Sequence, residues 1–498
     1  MSINKNGNLV VNSSAISKMN VKQLSDDSKW ARIYFLDVSN TKTFFTKDPS
    51  FYRSFFKLMT VIALQNLVAY SVNMLDNIML GSYSQNALSG AATVNQIYFI
   101  VNQIALAIGN ALIAITSQYW GSHQTKPIRK VTKAALLFSL AIAAGIIALC
   151  MRIPNTLIGL FTTSPDIIRE GTIYLHIIQW TFLFFMISNL LLAMLRSVET
   201  VKIAFLISVI SLLVNGGINY ILIVGRFGAP EMGIRGAAIG TFAARILELG
   251  IVLFYVWKKD TKVKLFDEKF RDGIIGKGSG TVWKTFFKVC IPILTSGLLW
   301  AVSLPMQTAI LGHLSADAIA ANSVSSTFFQ YLKVIVIAIA GASAVVIGKD
   351  IGSNDEEKVR CNGRTLSVLY LAIGLLLGTV LFLLRSPLLS MYRLTPQATL
   401  YADHFMIIMS VIMVGMSYQM PVGVGIIQGG GDTKFSMYLN LISVWCIVMP
   451  LSFLAAFYWK LPVELVVIAV QSDQIFKCLP IFLRFKSYKW IHKLTAID

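Results

Sequence analysis

Asp76-Asn77-Ile78-Met79-Leu80-Gly81-Ser82-Tyr83-Ser84-Gln85-Asn86-Ala87 has a counterpart 231 residues further on, Gln307-Thr308-Ala309-Ile310-Leu311-Gly312-His313-Leu314-Ser315-Ala316-Asp317-Ala318. Leu80-Gly81, Ser84 and Ala87 recur at this offset as Leu311-Gly312, Ser315 and Ala318. So do Ala111 as Ala342, Gly121-Ser122 as Gly352-Ser353 and Arg129 as Arg360. One fixed offset held over this length is an internal duplication. In a membrane protein, two related bundles enclose a site that opens to either side when one rocks against the other, the construction of a transporter.

Composition places the chain in the membrane. Of 498 residues 55% are hydrophobic and 13% charged, and the mean hydropathy is +0.67, outside the range of soluble domains. Apolar runs long enough to cross about 30 Å of hydrocarbon lie near 54–81, 87–119, 130–151, 167–195, 203–225 and 235–257. A second set lies near 283–311, 317–348, 365–385, 398–427, 435–459 and 463–485. Lipid offers backbone polar groups no partners, so these runs are read as helices. The expected fold is an all-α integral membrane protein of twelve transmembrane helices in two pseudo-symmetric six-helix lobes.

Of the 43 Lys and Arg residues, 34 fall at the amino-terminal end, in alternate connections or from Lys477 onward, and seven in the other connections. Positive charge collects on the cytoplasmic side, so both termini are expected there, in a multi-pass protein of the cell membrane. The same asymmetry, with attraction to anionic membrane lipid, accounts for a net charge of +19 and leaves no need for a nucleic-acid partner. The organisation reads as a cytoplasmic extension (1–50), an amino-terminal lobe (51–257), a cytoplasmic linker (258–282), a carboxyl-terminal lobe (283–487) and a cytoplasmic tail (488–498). The first 50 residues lack the apolar core and cleavage site of a signal peptide. Cys150, Cys290, Cys361, Cys446 and Cys478 show no metal-ligand spacing, and no disulfide is expected.

Local sequence then points to a family. Asp76 to Gly81 has the form Asp-x-x-x-x-Gly at the exit of the first span, and Gln118-Tyr119-Trp120-Gly121 closes the second. The fifth span carries Asn215-Gly216-Gly217-Ile218-Asn219. Gly233-Ile234-Arg235-Gly236-Ala237-Ala238 and Thr241 open the sixth, and Gly429-Gly430-Gly431-Asp432-Thr433-Lys434 joins the tenth to the eleventh. In this order and over residues 44 to 490, the chain resembles the multidrug and toxic compound extrusion (MATE) transporters of the MOP flippase superfamily. The resemblance implies a V-shaped pair of lobes that exports organic solutes in exchange for Na⁺ or H⁺ by alternating access.

It also implies a coupling site. In the family an Asp of the first span is grouped with polar residues of the fifth and sixth, here Asp76, Asn215, Asn219 and Thr241. Some members have Asp where this chain has Asn219. Val61 stands where Pro is common, while its repeat mate Pro292 is present. Members that couple through the carboxyl-terminal half carry a Glu in the seventh span and an Asp in the tenth; here the seventh has no acid and the tenth only Asp403 near its outer end, so coupling is assigned to the amino-terminal lobe. Two outcomes stay open: four oxygen-bearing side chains cage Na⁺, or apolar surroundings let Asp76 take up and release a proton. Apart from the coupling ion, Na⁺ or H⁺, no cofactor is expected.

Other residues carry two readings each. Arg245 and Glu248, spaced i,i+3, neutralise each other or relay protons, and Asp473 with Lys477 reads as a pair. Lys333, with no acid at i+3 or i+4 and Asn102 as repeat mate, faces the substrate cavity or makes an interlobe contact. Gln307, the mate of Asp76, belongs with that cavity. Met409, Met413 and Met416 lie on one helical stripe that either lines a pocket for varied apolar ligands or packs in the core. The expected partners are a small amphipathic organic solute and membrane lipid, with a monomer as the working unit. An enzyme lacks support, since no catalytic cluster is visible. The alternative reading is a lipid-linked oligosaccharide flippase or an exporter of anionic solutes in the same superfamily.

Overall fold

The computed structural model of the protein describes residues 2–3, 9–10, 45–267, 279–392 and 394–495. Most of the 1–50 extension, the middle of the 258–282 linker, Arg393 and residues 496–498 fall outside them. Ser2–Ile3 and Leu9–Val10 form a two-residue antiparallel pairing. The rest is helical, with twelve spans among the described residues. They are α1 Pro49–Tyr83, α2 Gln85–Gly121, α3 Thr125–Arg152, α4 Pro165–Ser197, α5 Lys202–Leu222 and α6 Ile234–Lys258. The second half follows as α7 Gly280–Gly312, α8 Asp317–Gly352, α9 Glu356–Leu389, α10 Pro396–Gln428, α11 Thr433–Tyr458 and α12 Val463–Lys486. The chain is thus a multi-pass membrane protein of the expected fold. Helix α1 runs unbroken through Val61.

The duplicated residues turn out to be the ones that start and join helices. Ser84 and Ser315 are the N-caps of α2 and α8, their hydroxyls accepting from the amides of Ala87 and Ala318. Each such cap is worth about 1 kcal/mol. At the other ends of the same helices, Gly121 and Gly352 hold α2 and α8 together. A Cβ on Gly121 would stand 2.0 Å from the Lys349 carbonyl oxygen, and one on Gly352 1.9 Å from that of Gln118. Gln118 and Lys349 are themselves one repeat apart, so the contact is symmetric. In lipid, which rewards close packing rather than apolar burial, small residues at helix crossings are what allow association.

Those two helices form the axis of the molecule. Protein covers 67% of the most apolar stretch of α2 and 61% of that of α8, as of α4 and α10, against 11% for α1. One apolar core runs from α1–α6 into the ends of α7–α10 and α12 nearest the basic connections, through Phe286, Ile347, Tyr370, Ile427 and Phe485. A separate core around Phe405, Met413 and Val466 fills the far half of the carboxyl-terminal lobe. The lobes therefore merge at the basic end and part toward the opposite end, which is the V.

Polar contacts close the basic end. Glu199, between α4 and α5, accepts from Lys349 Nζ at 2.8 and 3.0 Å and from Ser54 Oγ at 2.8 Å, an ion pair across the lobes. The start of the linker packs on the amino-terminal lobe, with Lys262 Nζ donating to the Val198 carbonyl at 2.5 Å and Arg129 Nε to that of Val263 at 2.7 Å. The tail is docked as far as Leu494. Trp490 is fully buried, its ring stacked on Phe485 at 6.0 Å. His492 N donates to the Gly430 carbonyl at 2.9 Å. Gln118 then reaches across from α2, donating to the His492 carbonyl at 3.0 Å and accepting from Leu494 N at 2.7 Å. The glycine turn itself is a cap, Asp432 accepting from Phe435 N at 3.4 Å and from Arg484 Nε at 2.6 Å.

Two expectations follow. Gly121→Ala or Gly352→Ala forces α2 and α8 apart at a cost of about 1–3 kcal/mol, read as a lower melting temperature in detergent. Gly145→Ala, where nothing lies within 4 Å of an added Cβ, leaves it unchanged. Burial raises the Glu199 pKa, but hydrogen bonds from Lys349 and Ser54 outweigh it and hold the carboxyl below its ordinary 4.5. The contribution of the bridge is therefore full above pH 4.5 and lost as pH falls through the lowered folded value. With Lys349 partly exposed, a Glu199→Gln, Lys349→Met double-mutant cycle at neutral pH is expected to give a coupling of about 0.5–1 kcal/mol, shrinking toward zero in acid.

Candidate functional site: a polar cluster in one lobe and a seam between the two

The four expected coupling residues come together. Asn215 and Asn219, one helical turn apart on α5, face α1 and α6 and are buried. Asn219 Nδ2 donates to Asp76 Oδ1 at 2.6 Å and lies 3.3 Å from Asn215 Oδ1. Asn215 Nδ2 in turn donates to Thr241 Oγ1 at 3.1 Å. Two glycines make the fit: a Cβ on Gly216 would stand 2.7 Å from Leu75, and one on Gly240 2.0 Å from Asn219 Oδ1. The network is incomplete on its acceptor side. Asn219 Oδ1 is buried with no hydrogen-bond partner, and among the described residues nothing donates to Asp76 Oδ2. A half-buried carboxylate with an open oxygen is a place for a proton or a cation.

Sequence reading missed two members of this region. Tyr174 on α4 interacts with Thr241 and lies within electrostatic reach of Asp76. Tyr98 on α2 accepts from Arg245 Nη2 at 2.8 Å. Neither is distinguishable in sequence from the aromatic residues packed around it. Arg245 and Glu248 pair at 2.6 Å, with the guanidinium over the Phe185 ring at 4.9 Å. Arg245 also acts electrostatically on Asp76, so the pair adjoins the cluster.

The carboxyl-terminal lobe has a buried network of its own. Lys477 Nζ donates to Asp473 Oδ2 at 2.8 Å and to Asn440 Oδ1 at 2.9 Å, and Asn440 Nδ2 donates to Ser296 Oγ at 2.7 Å. Asp403 of α10 is held by Arg385 at 2.9 Å. Of the two readings of the methionine stripe, the structure shows packing: Met409, Met413 and Met416 are buried in the core with Phe405, Leu377, Leu381 and Val466. They turn toward neighbouring helices of their own lobe.

Lys333 lies at the seam between lobes. Its Nζ sits over the Trp300 ring, 5.1 Å from the centroid, and that ring meets Phe99 of α2 at 6.2 Å. Nearby, the Tyr331 hydroxyl donates to Met74 Sδ at 3.4 Å across the same seam. Asn102 and Gln307 are half-buried and make no hydrogen bond to the described protein. A charge inside the bilayer costs about 2.5–3.5 kcal/mol on insertion scales, and an aromatic face returns only part of it.

The MatE family profile matches residues 62–221 and 292–454, two segments that fall on the two halves of the duplication. The chain belongs to the MatE family. A probable multidrug resistance protein NorM of Thermotoga maritima is 24% identical to it, over 89% of this chain and 94% of that one. Among solved structures, a MATE-family multidrug resistance transporter of the MOP superfamily in an outward-facing conformation superposes with a TM-score of 0.79. It has 16% identity and covers 91% of this chain and 99% of its own. The bent form of the Vibrio cholerae MATE transporter VcmN gives 0.78 at 18% identity, covering 88% of this chain and 97% of its own. MatE members are transporters, not enzymes, and this chain is one.

The Arg245 and Glu248 pair is open to a direct test. Arg245→Met leaves Glu248 buried without its partner and is expected to destabilise by about 3–5 kcal/mol. Arg245→Met with Glu248→Leu recovers most of that. Transport retained in the folded double variant identifies a neutralising pair, whereas transport lost identifies a relay.

Proposed function

We propose that the protein is a secondary active antiporter that exports drugs or other amphipathic organic solutes in exchange for Na⁺ or H⁺, with the ion bound at Asp76. The observation that carries this reading is the cluster of Asp76, Asn219, Asn215 and Thr241, with its open carboxylate oxygen and its undonated Asn219 oxygen. The ion supplies what both lack. Either ion fits: a proton makes Asp76 Oδ2 a donor, and Na⁺ takes the side-chain oxygens as ligands with Asp76 balancing its charge.

Helix α1 is the element that passes this event on. It carries Asp76 against α5, and it also packs on α8 of the other lobe, where Ile62 meets Gly341. Loading the cluster alters how α1 sits on α5 and therefore how it sits on α8. The basic end, cytoplasmic by the distribution of Lys and Arg, is sealed by the α2–α8 contact, and the V opens outward. Release of solute and entry of the ion belong to this state. The named function of the NorM relative agrees with drug export. A lipid-linked flippase would be expected to add spans, and twelve are found among the described residues.

The test is efflux of ethidium from proteoliposomes under an imposed Na⁺ gradient and, separately, an imposed pH gradient. One gradient is expected to drive efflux in the wild type and neither in Asp76→Asn. Wild-type efflux unaffected by Asp76→Asn would place coupling elsewhere.

A further inference from the structure

We propose that Lys333 and Trp300 form an anion subsite in the cleft, which takes the carboxylate or sulfonate of an aromatic solute and extends the substrates to organic anions. This rests on the transporter reading above and names a substrate class for it.

Charge is the first argument. Arg245, Lys477 and Arg385 each hold a carboxylate, at 2.6, 2.8 and 2.9 Å. Lys333 holds none among the described residues, and it rests instead on the Trp300 face. The acid that bears on it electrostatically, Asp473, is already bound to Lys477. With all three ionised, Lys333, Lys477 and Asp473 together carry one positive charge in excess.

The duplication supplies the second argument. The repeat mates of Lys333 and Trp300 are Asn102 and Ala69, so the same architecture is built in the other half with neither a cation nor a large ring. The pair is not a requirement of the scaffold. Position is the third. Trp300 meets both Lys333 and, from the opposite lobe, Phe99, which sets a cationic head near two aromatic rings. The unpaired amides of Asn102 and Gln307 lie on the same helices as Phe99 and Trp300. A planar apolar body carrying one anionic group matches this arrangement, and lobe rocking would carry it across with Lys333 still paired.

The experiment is equilibrium binding of radiolabelled 1-naphthoate and of 1-naphthylmethylammonium, one ring with opposite charges, to the purified full-length protein in detergent. Naphthoate is expected to bind. Lys333→Gln is expected to weaken it by about tenfold or more without weakening the ammonium compound, whose retained binding shows the variant folded. Lys333→Arg is expected to keep naphthoate binding. Naphthoate binding unchanged in Lys333→Gln overturns the subsite. So does binding confined to the ammonium compound, or naphthoate that fails to bind while phosphatidylglycerol does, since the anion would then be a lipid headgroup. Gradient-driven efflux is read separately. Its absence in the wild type with naphthoate binding intact sinks the antiport reading and leaves the subsite standing.

Discussion

Everything else in the molecule is placed by the crossing of α2 and α8, where Gly121 and Gly352 let each helix touch the other's carbonyl. Apolar burial gives no net drive to pair helices in lipid, so contact distance decides which crossings hold. This one fixes the pseudo-two-fold axis, and with it the position of α7 beside α2 and the merging of the two lobes into one core at the basic end. The Glu199 to Lys349 pair and the docked segment ending at Leu494 then lie where the axis brings the lobes together. The far half of the carboxyl-terminal lobe keeps its own separate core, and the V follows from that difference.

Within such a frame, polar side chains in the spans must find partners, and most do. Arg245, Lys477 and Arg385 are satisfied by acids, and Asn440 and Ser296 extend one of those networks. Asp76 and Lys333 are two charged positions where satisfaction is partial, and at both the two halves differ in charge. Asp76 has Gln307 as its counterpart in the repeat and Lys333 has Asn102. The amino-terminal lobe keeps an acid and the carboxyl-terminal lobe a cation, each with a neutral amide as its mate. Symmetry builds the scaffold, and the departures from symmetry carry the chemistry.

The four-residue cluster was legible through the family motif, which groups an Asp of the first span with polar residues of the fifth and sixth. Asn215 and Asn219 fall one turn apart, and a polar pair on a buried helix face needs a partner, which Asp76 and Thr241 provide. Tyr174 was not legible, because a tyrosine in an aromatic-rich span gives no sign of which helix its hydroxyl reaches. The methionine stripe shows the same limit. The spacing of Met409, Met413 and Met416 established a common face, but only packing shows that this face turns into its own lobe.

Hydropathy, charge placement and the 231-residue offset, all properties read along the chain, determined the number of spans, the duplication and the ends at which helices start and cross. They suffice because a bilayer imposes one requirement, internal hydrogen bonding over about 30 Å, on every span alike. The rotation of each helix about its axis and the partner it meets depend on contacts between residues far apart in the chain. Those contacts alone decided that Gln118 binds the segment after α12, that Lys349 crosses to Glu199, and that Lys333 rests on Trp300 at the seam.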